Sequence, residues 1–169
     1  MKYIKALACI FILVIIDQLT KRLAVTYLMD QEPIPIIKGI FELHYLENRG
    51  MAFGLFQNQR IFFVIITVLI LGAISFCYYL IPDIKKYVPL KAVTIFICAG
   101  AIGNFIDRMA NGFVVDFFYF KLIDFPIFNV ADIYVTGAGV VLFILVLFYY
   151  KGEKDFDFLN FRKNKSEIE

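Results

Sequence analysis

Four aspartates, Asp107, Asp116, Asp124 and Asp132, fall between Gly103 and Asp132 in a stretch that is otherwise strongly apolar. Asparagines, Asn104 and Asn129 among them, and one arginine, Arg108, share the stretch. Carboxylates at membrane depth are costly, which makes them functional-site candidates. Two carboxyl groups in a poorly hydrated site cannot both ionise cheaply, because burial raises their pKa values and mutual repulsion raises one further. Such a pair tends to share a proton. One member can then act as general base on a water while the other donates a proton. That equipment can cut an amide bond without a covalent intermediate. Other hydrolytic mechanisms are less well supplied: Ser75 lies mid-span, Ser166 lies in the C-terminal tail, and there is no HExxH motif or Gly-rich phosphate loop.

Spacing alone does not say which two aspartates pair. Asp107 adjoins Arg108, which could neutralise it, and Asp124 precedes Phe125-Pro126, where it could cap a turn. Asp116 is flanked by Val114-Val115 and Phe117-Phe118, so its desolvation would be strong. Asp132 opens an apolar helix, where the helix dipole favours negative charge. On these grounds Asp116 and Asp132 are the preferred pair. Asn104 and Asn129, each three residues before an aspartate, are candidate braces.

Four apolar runs must position these groups. The chain has 169 residues, 61% of them hydrophobic and 19% charged, with a net charge of +2. Runs this long indicate membrane spans, and the charge balance gives no hint of a nucleic-acid partner. Spans are expected over about 4–24, 61–81, 90–107 and 129–150. The first is interrupted by Asp17-Gln18-Leu19-Thr20-Lys21, where Asp17 and Lys21, at i,i+4, share a face and can pair. That pair reads either as a buried salt bridge between helices or as support for a site. Gly100 and Gly103 allow close helix packing in the third span.

Between the first two spans, Pro33 and Pro35 break any helix. Residues 36–46 partly alternate apolar and polar, which suits a strand, and Asn48-Arg49-Gly50 is a turn signal. Residues 36–56 are thus expected to form a small extended platform. His44, the only histidine, reads as a strand-surface residue. Residues 109–128 carry seven aromatics and read as a loop hugging the membrane surface. Cys9, Cys77 and Cys98 lack metal-ligand spacing and read as small buried hydrophobes. The fold class is therefore membrane all-α, with four transmembrane helices, a small extracytoplasmic β platform and an interfacial aromatic loop. Residues 1–151 form one four-span domain, and 152–169 a disordered cytoplasmic tail. Lys85, Lys86 and Lys91 lie in the 82–91 loop, whereas 25–60 carries only Lys38, Arg49 and Arg60. That bias places both termini in the cytoplasm and the aspartates near the outer face.

Asp17-Gln18-Leu19-Thr20-Lys21, Asn48-Arg49-Gly50-Met51-Ala52-Phe53-Gly54, Gly103-Asn104-Phe105-Ile106-Asp107-Arg108, Val114-Val115-Asp116-Phe117 and Phe128-Asn129-Val130-Ala131-Asp132 resemble, in order, the blocks of the bacterial lipoprotein signal peptidases (signal peptidase II). The resemblance covers about residues 4–150. It implies an intramembrane aspartic endopeptidase of the inner membrane that cleaves prolipoprotein signal peptides just before a diacylglyceryl-modified cysteine. It implies Asp116 and Asp132 as the catalytic pair, with Asp17, Lys21, Asn48, Gly50, Asn104, Asp107, Arg108, Asn129 and Ala131 supporting the site or binding substrate. It further implies no metal or other cofactor, membrane lipid and lipid-modified prolipoproteins as partners, inhibition by the cyclic peptide globomycin, and a chain acting as a monomer. Met51 departs from the alanine common in the family. The rival readings are a small proton-coupled membrane carrier or channel subunit, and an assembly protein whose polar residues only join helices. Against a carrier, the chain has no internal repeat or broken helix of the kind transporters use.

Overall fold

The computed structural model of the chain describes residues 2–50, 59–152 and 154–159. Among these are four helices long and apolar enough to cross a membrane. They are α1 (Lys2–Leu28), α2 (Arg60–Leu80), α3 (Val88–Ala110) and α4 (Val130–Ile144), the last continued by a π-helical turn, Leu145–Tyr149. A three-stranded antiparallel sheet in the order β1 (Ile34–Ile37), β2 (Phe41–Asn48), β3 (Val114–Tyr119) sits at one end. In a bilayer every backbone group must be satisfied internally, so the spans are helical and the sheet lies outside them.

α3 is the hub. It packs against α1, α2 and α4, and is the most buried of the four. The other three turn apolar side chains such as Leu7, Phe11, Leu69 and Phe143 outward, as suits contact with lipid. Cys9 and Cys77 are exposed on these outward faces, so only Cys98 is a buried hydrophobe. Close approach to α3 depends on its glycines. A Cβ at Gly103 would collide with the Asp17 carboxylate and lie 3.3 Å from the Ala131 Cβ; one at Gly100 would collide with the Ala131 carbonyl.

Local signals set the helix ends. Pro89 sits in the first turn of α3, where a missing N–H costs nothing. Asn129 caps α4 with a capping box: its side chain accepts from the Asp132 N–H, and the Asp132 side chain accepts from the Asn129 N–H. α1 runs a full turn beyond the expected residue 24. Ala24 and Leu28 are buried against Val115 and Phe117 of β3, so packing under the sheet extends the helix.

Two expectations for the platform need correction. The strand expected over 36–46 is a hairpin, reversing at Lys38-Gly39, where Gly39 takes a φ of 74°. Pro35 is accommodated because β1 is an edge strand. Residues 114–119, expected within a loop, form β3 and pair with β2, Leu46 opposite Asp116 and Asn48 opposite Val114. Asp124 does terminate a turn. It caps the short 3-10 helix Lys121–Ile123 in a left-handed conformation and accepts from the Tyr119 hydroxyl at 2.6 Å. His44 lies on β2, its ring 6.0 Å from that of Tyr119. Residues 51–58, which hold Met51 and the rest of the expected platform, lie outside the described residues.

At the opposite end, Tyr87 and Tyr150 stack at 5.6 Å, and Phe156 and Phe158 pack around them. The buried Asp155 pairs with Lys86, and its carbonyl accepts from the Tyr87 hydroxyl at 3.0 Å. Residues 154–159 of the expected disordered tail are therefore docked, because their aromatics find an apolar seat; residues 160–169 lie outside the described residues.

Replacing Gly103 by alanine should lower stability by about 1–3 kcal/mol through overpacking against Asp17. Gly139→Ala, where nothing lies within 4 Å, should be neutral or slightly stabilising. Thermal unfolding of both variants in detergent micelles measures the contrast.

Candidate active site

Where α1, α3, α4 and the sheet meet, the polar residues form one connected network. Lys21 lies at its base, on α1. Its ammonium is buried and meets Asp17 Oδ2 and Asp107 Oδ2, each at 3.0 Å, and donates to Asn104 Oδ1 at 2.8 Å. Three partners match the three protons of an ammonium group. The Asp17–Lys21 pair is therefore a buried salt bridge within α1 rather than between helices, and the contact of Lys21 with Asp107 is what carries the cluster across to α3. The two carboxylates are also saturated. Asp17 accepts from the Ala131 N–H at 2.9 Å, tying α1 to the first turn of α4. Asp107 accepts from the Val115 N–H at 3.1 Å, tying α3 to β3.

Gln18, a site residue that the sequence motif does not single out, also joins the network. Its side-chain amide lies 3.0 Å from Asp107 Oδ1, and 3.2 Å from both Asp17 Oδ2 and the Gly103 carbonyl. It bridges α1 to α3. The available signal was a second polar residue beside Asp17 in mid-span.

The expected pairing of Asp107 with Arg108 is not formed. Adjacent residues on a helix do not face one another, so Asp107 turns toward Lys21 while Arg108 turns toward the platform. The Arg108 guanidinium stacks over the Phe63 ring at 4.7 Å and donates to the Gly50 carbonyl at 3.4 Å. The Gly50 N–H in turn donates to Asn48 Oδ1 at 3.0 Å, closing the turn after β2.

Asp116 and Asp132 are joined through two asparagines. Since Asn104 Oδ1 accepts from Lys21, its Nδ2 is left to donate, and it reaches Asp132 Oδ1 at 2.8 Å. Since Asn129 Oδ1 accepts from the Asp132 N–H, its Nδ2 donates to Asp116 Oδ1 at 2.6 Å and to Asn104 Oδ1 at 3.1 Å. Asn48 Nδ2 donates to Asp116 Oδ2 at 2.8 Å. That last contact is a diagonal one across the β2–β3 pair, reaching two residues beyond Val114. Asp116 is buried at 1% exposure, whereas Asp132 is half-buried. Burial first, and the nearby Asp132 charge second, push the Asp116 carboxyl up to about 7, against the opposing pull of the Asn48 and Asn129 amides and Lys21. A carboxyl poised near neutrality beside another is suited to acid–base chemistry.

All of the sequence-selected residues, Asp17, Lys21, Asn48, Gly50, Asn104, Asp107, Arg108, Asp116, Asn129, Ala131 and Asp132, therefore belong to one contiguous assembly. Asp124 stands apart on the platform.

Four membrane-spanning helices, three of which join a small sheet around one buried polar network, define a multi-pass membrane protein with an enclosed polar site. A family model described as signal peptidase (SPase) II matches residues 9–149. The lipoprotein signal peptidase of Streptococcus thermophilus (strain CNRZ 1066) is 48% identical over 138 residues, covering 82% of this chain and 88% of that protein. That of Clostridioides difficile (strain 630) is 43% identical over 140 residues, covering 83% and 93%. A bacterial membrane enzyme solved by the in meso method at 2.3 Å superposes with a TM-score of 0.77 at 33% identity, over 89% of this chain and 93% of its own. The chain belongs to the signal peptidase II family, and is a multi-pass membrane protease.

Replacing Lys21 by methionine leaves Asp17 and Asp107 buried without their cation, and should cost roughly 3–5 kcal/mol. Denaturant unfolding in mixed micelles measures the loss. The double variant Lys21→Met, Asp17→Asn should recover part of it.

Proposed function

We propose that this protein removes the signal peptides of diacylglyceryl-modified prolipoproteins, cutting just before the lipid-modified cysteine, with Asp116 and Asp132 as the catalytic pair. The observation that carries the reading is the shared amide wiring. Asn129 donates to Asp116 from its side chain and to Asp132 from its backbone, while Asn104 serves Asp132 and accepts from Asn129. The names of the relatives in Streptococcus thermophilus and Clostridioides difficile, both lipoprotein signal peptidases, support the substrate class.

In this mechanism the pair carries one proton between its two members. Asp132, the more accessible, takes a proton from a water molecule as the water oxygen bonds to the scissile carbonyl carbon. Asp116, protonated near neutrality, hydrogen-bonds the carbonyl oxygen as negative charge develops there. The tetrahedral adduct then collapses. The C–N bond breaks, the amine leaves with a proton from the dyad, and the new carboxyl terminus remains on the signal peptide. Asn48, Asn104 and Asn129 hold the two carboxyl groups in register, and Lys21 fixes the asparagine on which Asp132 depends. In this reading Arg108, stacked over Phe63 beside Gly50, contacts substrate carbonyls. The lipid on the cysteine anchors the scissile bond at membrane depth. The lysine-rich loop and both termini face the cytoplasm in this reading, the aspartates lie near the outer face, and the chain acts as a monomer that globomycin blocks.

Asp116→Asn and Asp132→Asn should each lower cleavage of a lipid-modified prolipoprotein by roughly 10²–10⁴-fold without loss of fold. Activity in detergent and the unfolding midpoint are measured together; near-normal turnover in either variant overturns the assignment. The pH profile supplies a further check. Asp116 holds its proton below about 7 and loses it above. If one shared proton is required, kcat/KM falls as pH rises through about 7.

A further inference from the structure

At the end of the bundle opposite the aspartates, α1 and α2 flank α3 and line a half-open cavity of about 200 Å³, with Leu7 and Ser75 at its exposed rim. Its walls are mostly apolar: Ala6, Leu7 and Ile10 from α1, and Ile95 and Cys98 from α3. The hydroxyls are Ser75 of α2, Thr94 of α3, and Tyr3 and Tyr78, whose rings approach to 6.2 Å between the start of α1 and the last turn of α2. Tyrosines at the ends of spans mark the membrane–water interface. From Tyr3 to Ile10 the cavity reaches about 10 Å along α1, roughly a third of a hydrocarbon core of about 30 Å. None of these residues belongs to the network around Asp116 and Asp132.

The shape and surroundings select an occupant. A single hydrocarbon chain is slimmer than a peptide helix, which is about 10 Å across, and it can enter from the lipid side beside the outward-facing Leu7. The surface at this end is basic. Exposed Lys5, Lys85, Lys86, Lys151 and Lys154 stand against Asp83 and Asp157 among the described residues, with Lys91 and Asp155 buried beneath them. Lys91 lies one turn before Thr94 on α3 and pairs with Asp83 at 2.5 Å, and Lys86 pairs with Asp155, which leaves an excess of lysine. An anionic headgroup complements that excess.

We infer that the α1–α2–α3 cavity is a binding site for an anionic glycerophospholipid of the adjacent leaflet, with one acyl chain between Ala6, Ile10, Ile95 and Cys98. Its glycerol esters lie at the level of the tyrosine hydroxyls, and its phosphate lies toward the lysines.

The test uses the full-length protein in nanodiscs containing a trace of phosphatidylglycerol with a photoreactive diazirine on one acyl chain. A phosphatidylcholine probe with the same chains serves as comparison. Peptide mapping after irradiation should find labelling concentrated on residues 6–10 and 95–98, several-fold stronger with the anionic probe. Ser75→Phe, which fills the cavity, should lower that labelling at least five-fold while prolipoprotein cleavage persists; Ser75→Leu substitutes for it if the larger variant does not fold. Labelling spread evenly over the outward faces of α1, α2 and α4, and unaffected by either substitution, would overturn the site. So would equal labelling by the two headgroups, or recovery of a crosslinked signal peptide from the cavity in place of lipid.

Discussion

The arrangement depends on one buried cation. Lys21 takes an ammonium group into the interior of a membrane protein, where an unpaired charge is prohibitive. It is stable there because Asp17, Asp107 and Asn104 converge on it from two helices. Each partner extends the constraint. Asp17 holds the first turn of α4 through the Ala131 N–H, and Asp107 holds the start of β3 through the Val115 N–H. The elements carrying Asp132 and Asp116 are thus both fastened to the same charge cluster. Gly103 allows α3 to approach closely enough for that fastening, since any side chain there would displace the Asp17 carboxylate.

The same cation also decides the chemistry one step further out. An asparagine side chain offers an acceptor at one end and donors at the other. Lys21 occupies the acceptor of Asn104, so its donor end faces Asp132. The α4 cap does likewise for Asn129, so its donor end faces Asp116. Both aspartates are therefore held by neutral donors, whereas the cation is spent on Asp17 and Asp107. A direct salt bridge would lock a carboxylate in its charged form. Amide donors orient Asp116 while burial keeps its proton affinity high. Separation of the structural charges from the proposed acid–base pair is the main physical logic of the site.

Much of this was legible in the sequence, and the failures have physical causes. Long apolar runs marked the spans, and Asp17–Lys21 at i,i+4 and Asn129–Asp132 at i,i+3 marked real contacts, because helical spacing fixes which side chains meet. Strand β3 was missed because alternation is the usual strand signal, and Val114, Val115, Asp116 and Phe117 are all buried. A strand covered on both faces reads as a continuous apolar run. The Asp107–Arg108 pairing was misjudged from adjacency in the chain, and Gln18 was passed over because a neutral side chain carries no charge to be explained. The docked segment 154–159 was invisible for a different reason: its aromatics matter only once Tyr87 and Tyr150 form their seat.

The claim that Asp116 and Asp132 work as a pair is tested most directly by following the carboxyl carbon of Asp116 in ¹³C-aspartate-labelled protein as pH is varied. The assignment would come from the resonance lost in Asp116→Asn. A communicating pair predicts a midpoint near 7 in the native protein, moving clearly downward in Asp132→Asn, where the neighbouring negative charge is gone. A carboxyl that titrates in the ordinary acidic range, or one whose midpoint does not respond to the loss of Asp132, would contradict it.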